Sequence, residues 1–186
     1  YFELPIAYDA LTVVVNPGNS FLSTISVEQL KQIWSPESQA TITRWKQIDP
    51  SWPDAEFKLY GAGSDSGTFD YFTEAVVGKA KASRGDYTAS EDDNTLVQGV
   101  SQDPNALGYF GYAYYAENQG KLKALAIAPA GSSVGVLPSA ESVIGGSYVP
   151  LSRPLFVYVS DKAYARPEIK QFVDFYFANV AKLAVE

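Results

Sequence analysis

The chain has 186 residues, a formal net charge of −7 at pH 7, and no histidine, cysteine or methionine. Its 46% hydrophobic and 19% charged residues are typical of a globular protein, with enough length for one large domain or two small lobes. The missing residue types exclude disulfides, thiol catalysis and thiolate metal sites, and they remove the usual general base. The negative charge disfavours binding to nucleic acid and to anionic membranes.

The same absences bear on cellular location. Because the chain contains no methionine, Tyr1 is not a translation start, and we expect a chain that is processed or excised from a longer one. A lack of cysteine is compatible with an exported bacterial protein, and the lack of a signal peptide is compatible with its removal. No run of about 18 apolar residues occurs, so we expect no segment inserted in a membrane. We also expect no cofactor and no metal ion.

The first part of the chain is predicted to form strands followed by a helix. Residues 1–8 are expected to be extended, with Pro5 placing them at a sheet edge or in a crossover. The β-branched run 11–15 is typical of a strand buried on both faces. Ser26 is predicted to cap a helix whose apolar residues, including Trp34, lie at helical spacing. We expect Trp34 to pack in the core.

The most informative stretch is the glycine-rich and serine-rich turn 61–70, which follows the strand-like run 57–60 and opens a helix that ends at Gly78. The first backbone N–H groups of a helix have no intrahelical partner, and the helix dipole adds about half a positive charge there. Glycines allow close approach, and Ser66 and Thr68 add hydroxyl donors. The turn therefore predicts a site for a phosphate or a carboxylate. The alternative is that Ser66 or Thr68 merely caps the helix.

A second polar segment, 83–94, precedes another helical pattern. Ser90 and Asp93, three residues apart, resemble a capping box with aspartate in place of glutamate. The acidic run 91–93 is interpreted as a first helical turn whose charge complements the dipole. It lacks the central glycine of a calcium-binding loop, so no metal site is predicted here.

The remaining elements continue the alternation of strands and helices, which indicates an α/β fold. The apolar run 154–159 predicts a clean buried strand, and Pro167 opens a long helix with an apolar stripe. The stripe comprises Ile169, Phe172, Val173, Tyr176, Phe177, Val180 and Leu183. The other predicted elements are strands at 105–112 and 122–128, a helix at 113–119 and a helical turn at 139–144.

Several of these stretches together resemble the phosphate-binding subunit of bacterial phosphate ABC transporters, particularly its cyanobacterial branch. The resembling segments are residues 3–16, 30–34, 42–45, 63–72, 84–94, 107–112 and 150–155. The resemblance implies an α/β fold: a lobe like that of type II periplasmic binding proteins, with a mixed sheet flanked by helices, and an incomplete second lobe. It further implies a crossover or remnant of the first lobe at 1–12, a central ligand-binding lobe at 13–153, and a return crossover strand and C-terminal helix of the first lobe at 154–186.

The resemblance also implies a set of phosphate ligands. Ser66, Gly67 and Thr68 would donate backbone and hydroxyl hydrogen bonds to the phosphate. Family members commonly place an arginine just before this turn, whereas this chain has Ala62 there. Arg84 is therefore the expected source of a charge-assisted pair with the anion.

Two carboxylates are expected to support the arginine. Asp65 or Asp86 would orient the guanidinium of Arg84. Because Arg84 is predicted to lie in a polar loop, we expect its replacement by alanine to weaken phosphate binding while leaving folding intact.

The function implied by the resemblance is capture of inorganic phosphate outside the cytoplasm and its delivery to the permease of an ABC transporter. Without histidine or cysteine, and with no lysine near Ser66 in sequence, activation of a serine nucleophile is not expected, so the chain is predicted not to be an enzyme. Two alternatives stay open: a phosphate sensor or surface-interaction module, and a serine-dependent phosphatase. Family members carry a further N-terminal stretch with additional ligands, so we expect weaker phosphate binding by this chain alone.

Overall fold

A computed structural model describes residues 1–183 of the chain, with the side chains described up to residue 180. The chain divides into two compact units. The central unit is Ala10–Ser152, and the terminal unit combines Tyr1–Asp9 with the chain from Arg153 onward. The assignment of these units to particular lobes stays a prediction.

Strands and helices alternate along the chain, as the sequence predicts. The strands are β1 (Phe2–Val15), β2 (Thr24–Ser26), β3 (Lys58–Ala62), β4 (Thr88–Ser90), β5 (Ala106–Gly111), β6 (Lys123–Ala124), β7 (Ala126–Ala128) and β8 (Ser152–Val159). The helices are α1 (Val27–Trp34), α2 (Gly67–Phe72), α3 (Asp93–Gln102), α4 (Tyr112–Glu117), α5 (Ala140–Ile144), α6 (Asp161–Tyr164) and α7 (Pro167–Leu183). A π-helical turn, Thr73–Val77, continues α2, and short 3-10 turns occupy Pro36–Ser38 and Trp45–Gln47.

The central unit is built on a mixed sheet with the strand order β4-β3-β5-β1-β6. Strand β3 runs parallel to both β4 and β5, whereas β1 runs antiparallel to β5 and β6. Strands β2 and β7 form a separate parallel pair, and in the terminal unit β8 pairs with β1. The predicted α/β class with a mixed sheet flanked by helices is confirmed.

An aromatic cluster fills the core between the sheet and helices α1 and α2. Trp34, at the end of α1, makes edge contacts with the rings of Phe72, Tyr87 and Tyr109. The rings of Phe72 and Tyr109 stack with their centroids 3.6 Å apart. The buried position predicted for Trp34 is confirmed. Because such aromatic groups bury large areas, this cluster fixes the helix α2 against the sheet.

The glycine-rich turn is followed by a helix, as predicted, and Gly78 ends that helix in the left-handed conformation at φ 92°. The helix after Ser26 is also present, with a full capping box between Ser26 and Gln29. Strand β1 is longer than expected, since it runs without a break from Phe2 through Pro5 to Val15.

The prediction of a buried strand at 154–159 was wrong, and the apolar stripe predicted on α7 is partly exposed. Strand β8 is mostly exposed or half-buried, with Tyr158 59% exposed. On α7 the predicted stripe includes Phe172, which is 66% exposed, and its last member, Leu183, lies outside the residues whose side chains are described. An apolar pattern identifies a surface that favours burial, but it does not supply the element that covers it. No helix in the described part of the chain is long and apolar enough to cross a bilayer.

Candidate anion-binding site

Three parallel strands of the central sheet end at the same edge, and a helix begins after each of them. Strand β4 leads to α3, β3 leads to α2, and β5 leads directly to α4. In open α/β sheets the loops at the carboxyl ends of the strands form the usual ligand crevice. The turn 63–66 lies at the middle one of these three strand ends.

Backbone hydrogen bonds hold this turn in place. The Gly63 N–H donates to the carbonyl of Ser90 at 3.1 Å, which ties the turn to the end of β4. The Ser66 N–H donates back to the Gly63 carbonyl at 3.0 Å, and the Asp70 N–H donates to the Ser66 carbonyl at 3.2 Å. The bond between Ser66 and Gly63 therefore closes the turn, and it holds Ser66, the last residue of the turn, in position as the N-cap of α2.

Ser66 caps helix α2, and the cap leaves neighbouring donors unused. The Ser66 Oγ accepts a hydrogen bond from the Thr68 N–H at 3.1 Å. Within residues 1–183, the N–H groups of Gly67 and Phe69 donate to no protein acceptor. Gly67 is exposed, and a Cβ placed on it would meet nothing within 4 Å. The capping interpretation is thus correct for Ser66, whereas Thr68 lies within α2 and provides the N–H that Ser66 caps. The cap coexists with an amide at the exposed residue Gly67.

The surroundings of the turn are acidic. Glu91, the residue after β4, places its Oε1 3.3 Å from the Asp65 nitrogen, which donates to it. Partial burial raises the pKa of Asp93, in the first turn of α3. A hydrogen bond from the Gly111 amide opposes this shift, and the nearby charges of Asp92 and Glu91 add to it. An anion at Gly67 would depend on backbone dipoles to offset these charges.

The cap of α3 differs from the prediction. Asp92, rather than Ser90, is the N-cap, and its Oδ1 accepts from the Asn94 N–H at 3.0 Å. Ser90 is the last residue of β4, and its hydroxyl oxygen accepts from the Asp92 N–H. The predicted capping box between Ser90 and Asp93 was wrong, because β4 continues through Ser90 and moves the helix start two residues along the chain.

Arg84 is buried, contrary to the expectation of a polar loop, with only 3% of its surface exposed. One terminal nitrogen, Nη1, donates to the carbonyls of Ile33 at 3.0 Å and Ile42 at 2.8 Å. Its Nε and Nη2 both donate to the carboxylate of Asp86, the latter at 2.8 Å. Four of its five N–H donors are therefore occupied by protein acceptors. Its guanidinium also lies 5.7 Å from the ring centroid of Phe57.

Asp86 supports Arg84 as the sequence suggests. The hydrogen bonds from Arg84 lower the pKa of Asp86 to about 2, against a partial opposing effect of burial, and the Ala40 amide also donates to this carboxylate. Asp65, the other candidate, does not contact Arg84 within the described residues, and its amide faces Glu91 instead.

The structure therefore separates the predicted site residues into two groups. Asp65 and Ser66 lie in the turn after β3, and Gly67 and Thr68 are the first two residues of α2, which follows it directly. Arg84 and Asp86 precede β4. Because β4 runs parallel to β3, this pair lies where the two strands begin, at the opposite edge of the sheet from the turn that follows β3. Glu91 contacts the turn, a role that sequence reasoning missed. The only available signal was its position directly after a strand that neighbours β3.

Comparison with known proteins gives concordant matches. A family model described as the PBP superfamily domain matches residues 1–180. The chain is 54% identical over 187 residues to the protein SphX of Synechocystis sp., with 100% of this chain and 55% of SphX covered. It is 37% identical over 177 residues to the phosphate-binding protein PstS of Staphylococcus saprophyticus, with 94% and 51% covered. The chain thus spans about half the length of the curated relatives it matches.

The fold has a close counterpart among solved structures. The crystal structure of a possible phosphate binding protein from Planctomyces limnophilus is 48% identical, with a TM-score of 0.88, 94% of this chain covered and 61% of that chain covered. The resemblance recognised in the sequence is therefore confirmed. Since the family model matches nearly all of its residues, the chain belongs to the PBP superfamily.

Proposed function

We propose that this chain binds inorganic phosphate as part of an extracytoplasmic solute-binding protein that serves an ABC transporter. The observation that carries the proposal is that Gly67, at the start of α2, is an exposed residue whose N–H donates to no acceptor within residues 1–183. Two of the similar proteins described above carry phosphate binding in their names. Delivery to a permease and a location outside the cytoplasm are the parts of the proposal that follow from the family resemblance.

The proposed ligands are the groups of the turn itself. The amide of Gly67 would donate one hydrogen bond to a phosphate oxygen, and the dipole of the helical segment 67–77 favours a negative charge there. The Ser66 hydroxyl accepts from the Thr68 amide and keeps its own proton available for donation. The Thr68 hydroxyl, which is half-buried, is the third proposed donor.

Arg84 has a different role in this proposal from the one the sequence suggested. Its donors bind two carbonyls and Asp86 on the far edge of the sheet. We therefore restrict the proposed phosphate ligands to Ser66, Gly67 and Thr68. For Arg84 we propose a structural role, in which it joins the carbonyl of Ile33 at the end of α1 to the segment before β4.

A pair of substitutions at Gly67 tests the proposal. Proline at the first position of a helix is tolerated, and the preceding Ser66 already has the extended conformation, φ −89° and ψ 134°, that proline requires of its neighbour. Gly67→Pro therefore removes the N–H without disrupting the helix. Gly67→Ala keeps the N–H, and its Cβ meets nothing within 4 Å.

We expect Gly67→Pro to bind inorganic phosphate at least roughly tenfold more weakly than Gly67→Ala in titration calorimetry, since a hydrogen bond to a charged group contributes about 1.5–3 kcal/mol. Circular dichroism checks that both variants are folded. Equal phosphate affinity in the two variants would remove the Gly67 amide from the site and with it the basis of the proposed function.

A further inference from the structure

The carboxylate of Glu91 lies against the turn that carries the proposed function, and that function makes no use of it. Its Oε1 accepts from the Asp65 N–H at 3.3 Å. A Cβ placed on Gly63 would overlap the same oxygen and lie 2.7 Å from the Glu91 Cδ. Gly63 thus leaves open the space that the carboxylate of Glu91 fills.

The register of the sheet places Glu91 there. Ala62, the last residue of β3, pairs with Ser90, the last residue of β4, so the residues that follow each strand are neighbours. The bond from the Gly63 N–H to the Ser90 carbonyl holds the two strand ends together. Burial raises the pKa of Tyr87, and the charge of Glu91 raises it further. This effect is consistent with a Glu91 carboxylate that points back towards the end of β3 and β4.

The position of Glu91 matters because its charge has the same sign as that of the proposed ligand. A carboxylate that accepts from a turn amide makes the type of contact that a phosphate oxygen would make. Two like charges a few ångströms apart repel each other, even at an exposed site where solvent screens them. The side chain is exposed and flexible, so it can leave the turn.

We propose that Glu91 is an intramolecular competitor for the anion: its carboxylate binds the turn 63–66 in the free protein and weakens the binding of an oxyanion at Gly67. The proposal rests on the proposed function, because it requires that an anion binds at this turn. It makes Glu91 the residue that tunes affinity at the site, and it gives Gly63 a role distinct from that of Gly67.

The first test replaces Glu91 by glutamine. Glu91→Gln keeps the size of the side chain and removes its charge, so we expect inorganic phosphate to bind roughly threefold to tenfold more tightly than to the natural protein in titration calorimetry at low ionic strength. Added sodium chloride should reduce the difference, because exposed charges are screened. Glu117→Gln is the matched control, since it removes the same charge from the exposed last residue of α4 and should leave the affinity unchanged.

The second test displaces the carboxylate without changing its charge. Gly63→Ala puts a methyl group where the Glu91 carboxylate lies, and the flexible side chain can move away from it. We expect tighter phosphate binding in this variant also. If both substitutions act by clearing the same turn, the gain in the double variant is smaller than the product of the two single gains.

The outcomes separate this inference from the proposed function. Phosphate binding by the natural protein together with equal or weaker binding by Glu91→Gln overturns the competition and leaves the proposed function standing. Weaker binding would assign the carboxylate as an acceptor for a proton of the bound anion. Failure of both proteins to bind inorganic phosphate contradicts the proposed function itself, and the competition fails with it.

Discussion

Ser66 and Arg84 lie at opposite edges of the same sheet. Ser66 follows β3 and Arg84 precedes β4, and these two strands run parallel with Ala62 opposite Ser90. Because a strand rises about 3.3 Å per residue, the length of β3 separates the start of these strands, near Arg84, from their end, near Ser66, by roughly 15 Å or more. A phosphate in contact with the Gly67 amide therefore lies far from the Arg84 guanidinium, and the two residues contribute to different properties of the molecule.

The first prediction concerns the stability of variants at Arg84. Arg84→Ala removes a buried guanidinium, which leaves the carbonyls of Ile33 and Ile42 without their donor and the partly exposed Asp86 without its bidentate partner. We expect the free energy of unfolding to fall by about 2–4 kcal/mol, measured by denaturant titration.

Arg44→Ala is the control for this prediction. Arg44 also pairs with an aspartate, Asp54, but both side chains are largely exposed, so the expected loss is below about 1 kcal/mol. Unchanged stability in Arg84→Ala would contradict the structural role of Arg84. Weaker phosphate binding by a stable Arg84→Lys variant would restore Arg84 as a candidate ligand.

The second prediction concerns acid sensitivity. The pKa of Asp86 is lowered from 3.8 to about 2, mainly by the hydrogen bonds from Arg84. A carboxyl group whose pKa is lower in the folded state contributes stability that is present above its unfolded value near pH 4. That contribution is lost as the pH falls from about 4 to about 2. We expect the free energy of unfolding to fall across this window.

Asp86→Asn isolates the contribution of this carboxylate, because other acidic residues also titrate between pH 4 and pH 2. The variant should be less stable than the natural protein at pH 6, and the two stability curves should converge as the pH approaches 2. Stability curves that stay parallel over the whole pH range would show that protonation of the Asp86 carboxylate does not change the free energy of unfolding as expected.

Local patterns predicted the elements that depend on neighbours in sequence. The helix after Ser26 has its predicted cap, the helix after Ser66 ends at Gly78, and α7 begins at Pro167. Each of these features follows from a spacing of three or four residues or from the backbone preference of a single residue. The α/β class follows from the alternation of such elements.

The contacts of Arg84 could not be predicted in this way. Its carbonyl partners, Ile33 and Ile42, lie 51 and 42 residues away in sequence. Family members place an arginine near the serine-rich turn, which suggested that Arg84 fills the same role, but only the parallel direction of β3 and β4 shows that it lies at the far edge. Glu91 was interpreted as a charge that complements a helix, because its contact with Asp65 depends on strand pairing.

The last prediction concerns Gly61, which lies in β3 against the aromatic cluster. A Cβ at this position would lie 2.6 Å from the Tyr109 Cε1 and 3.2 Å from the Trp34 Cη2. The Tyr109 ring cannot retreat easily, because the ring of Phe72 stacks on it at 3.6 Å. Gly61→Ala should therefore lower the free energy of unfolding by about 1–3 kcal/mol, as is usual for an overpacked core.

Gly120→Ala provides the comparison for this substitution, since a Cβ at Gly120 meets nothing within 4 Å. Denaturant titration of both variants should show a loss in Gly61→Ala and little change in Gly120→Ala. Equal stabilities would mean that the aromatic cluster can shift to accept a methyl group.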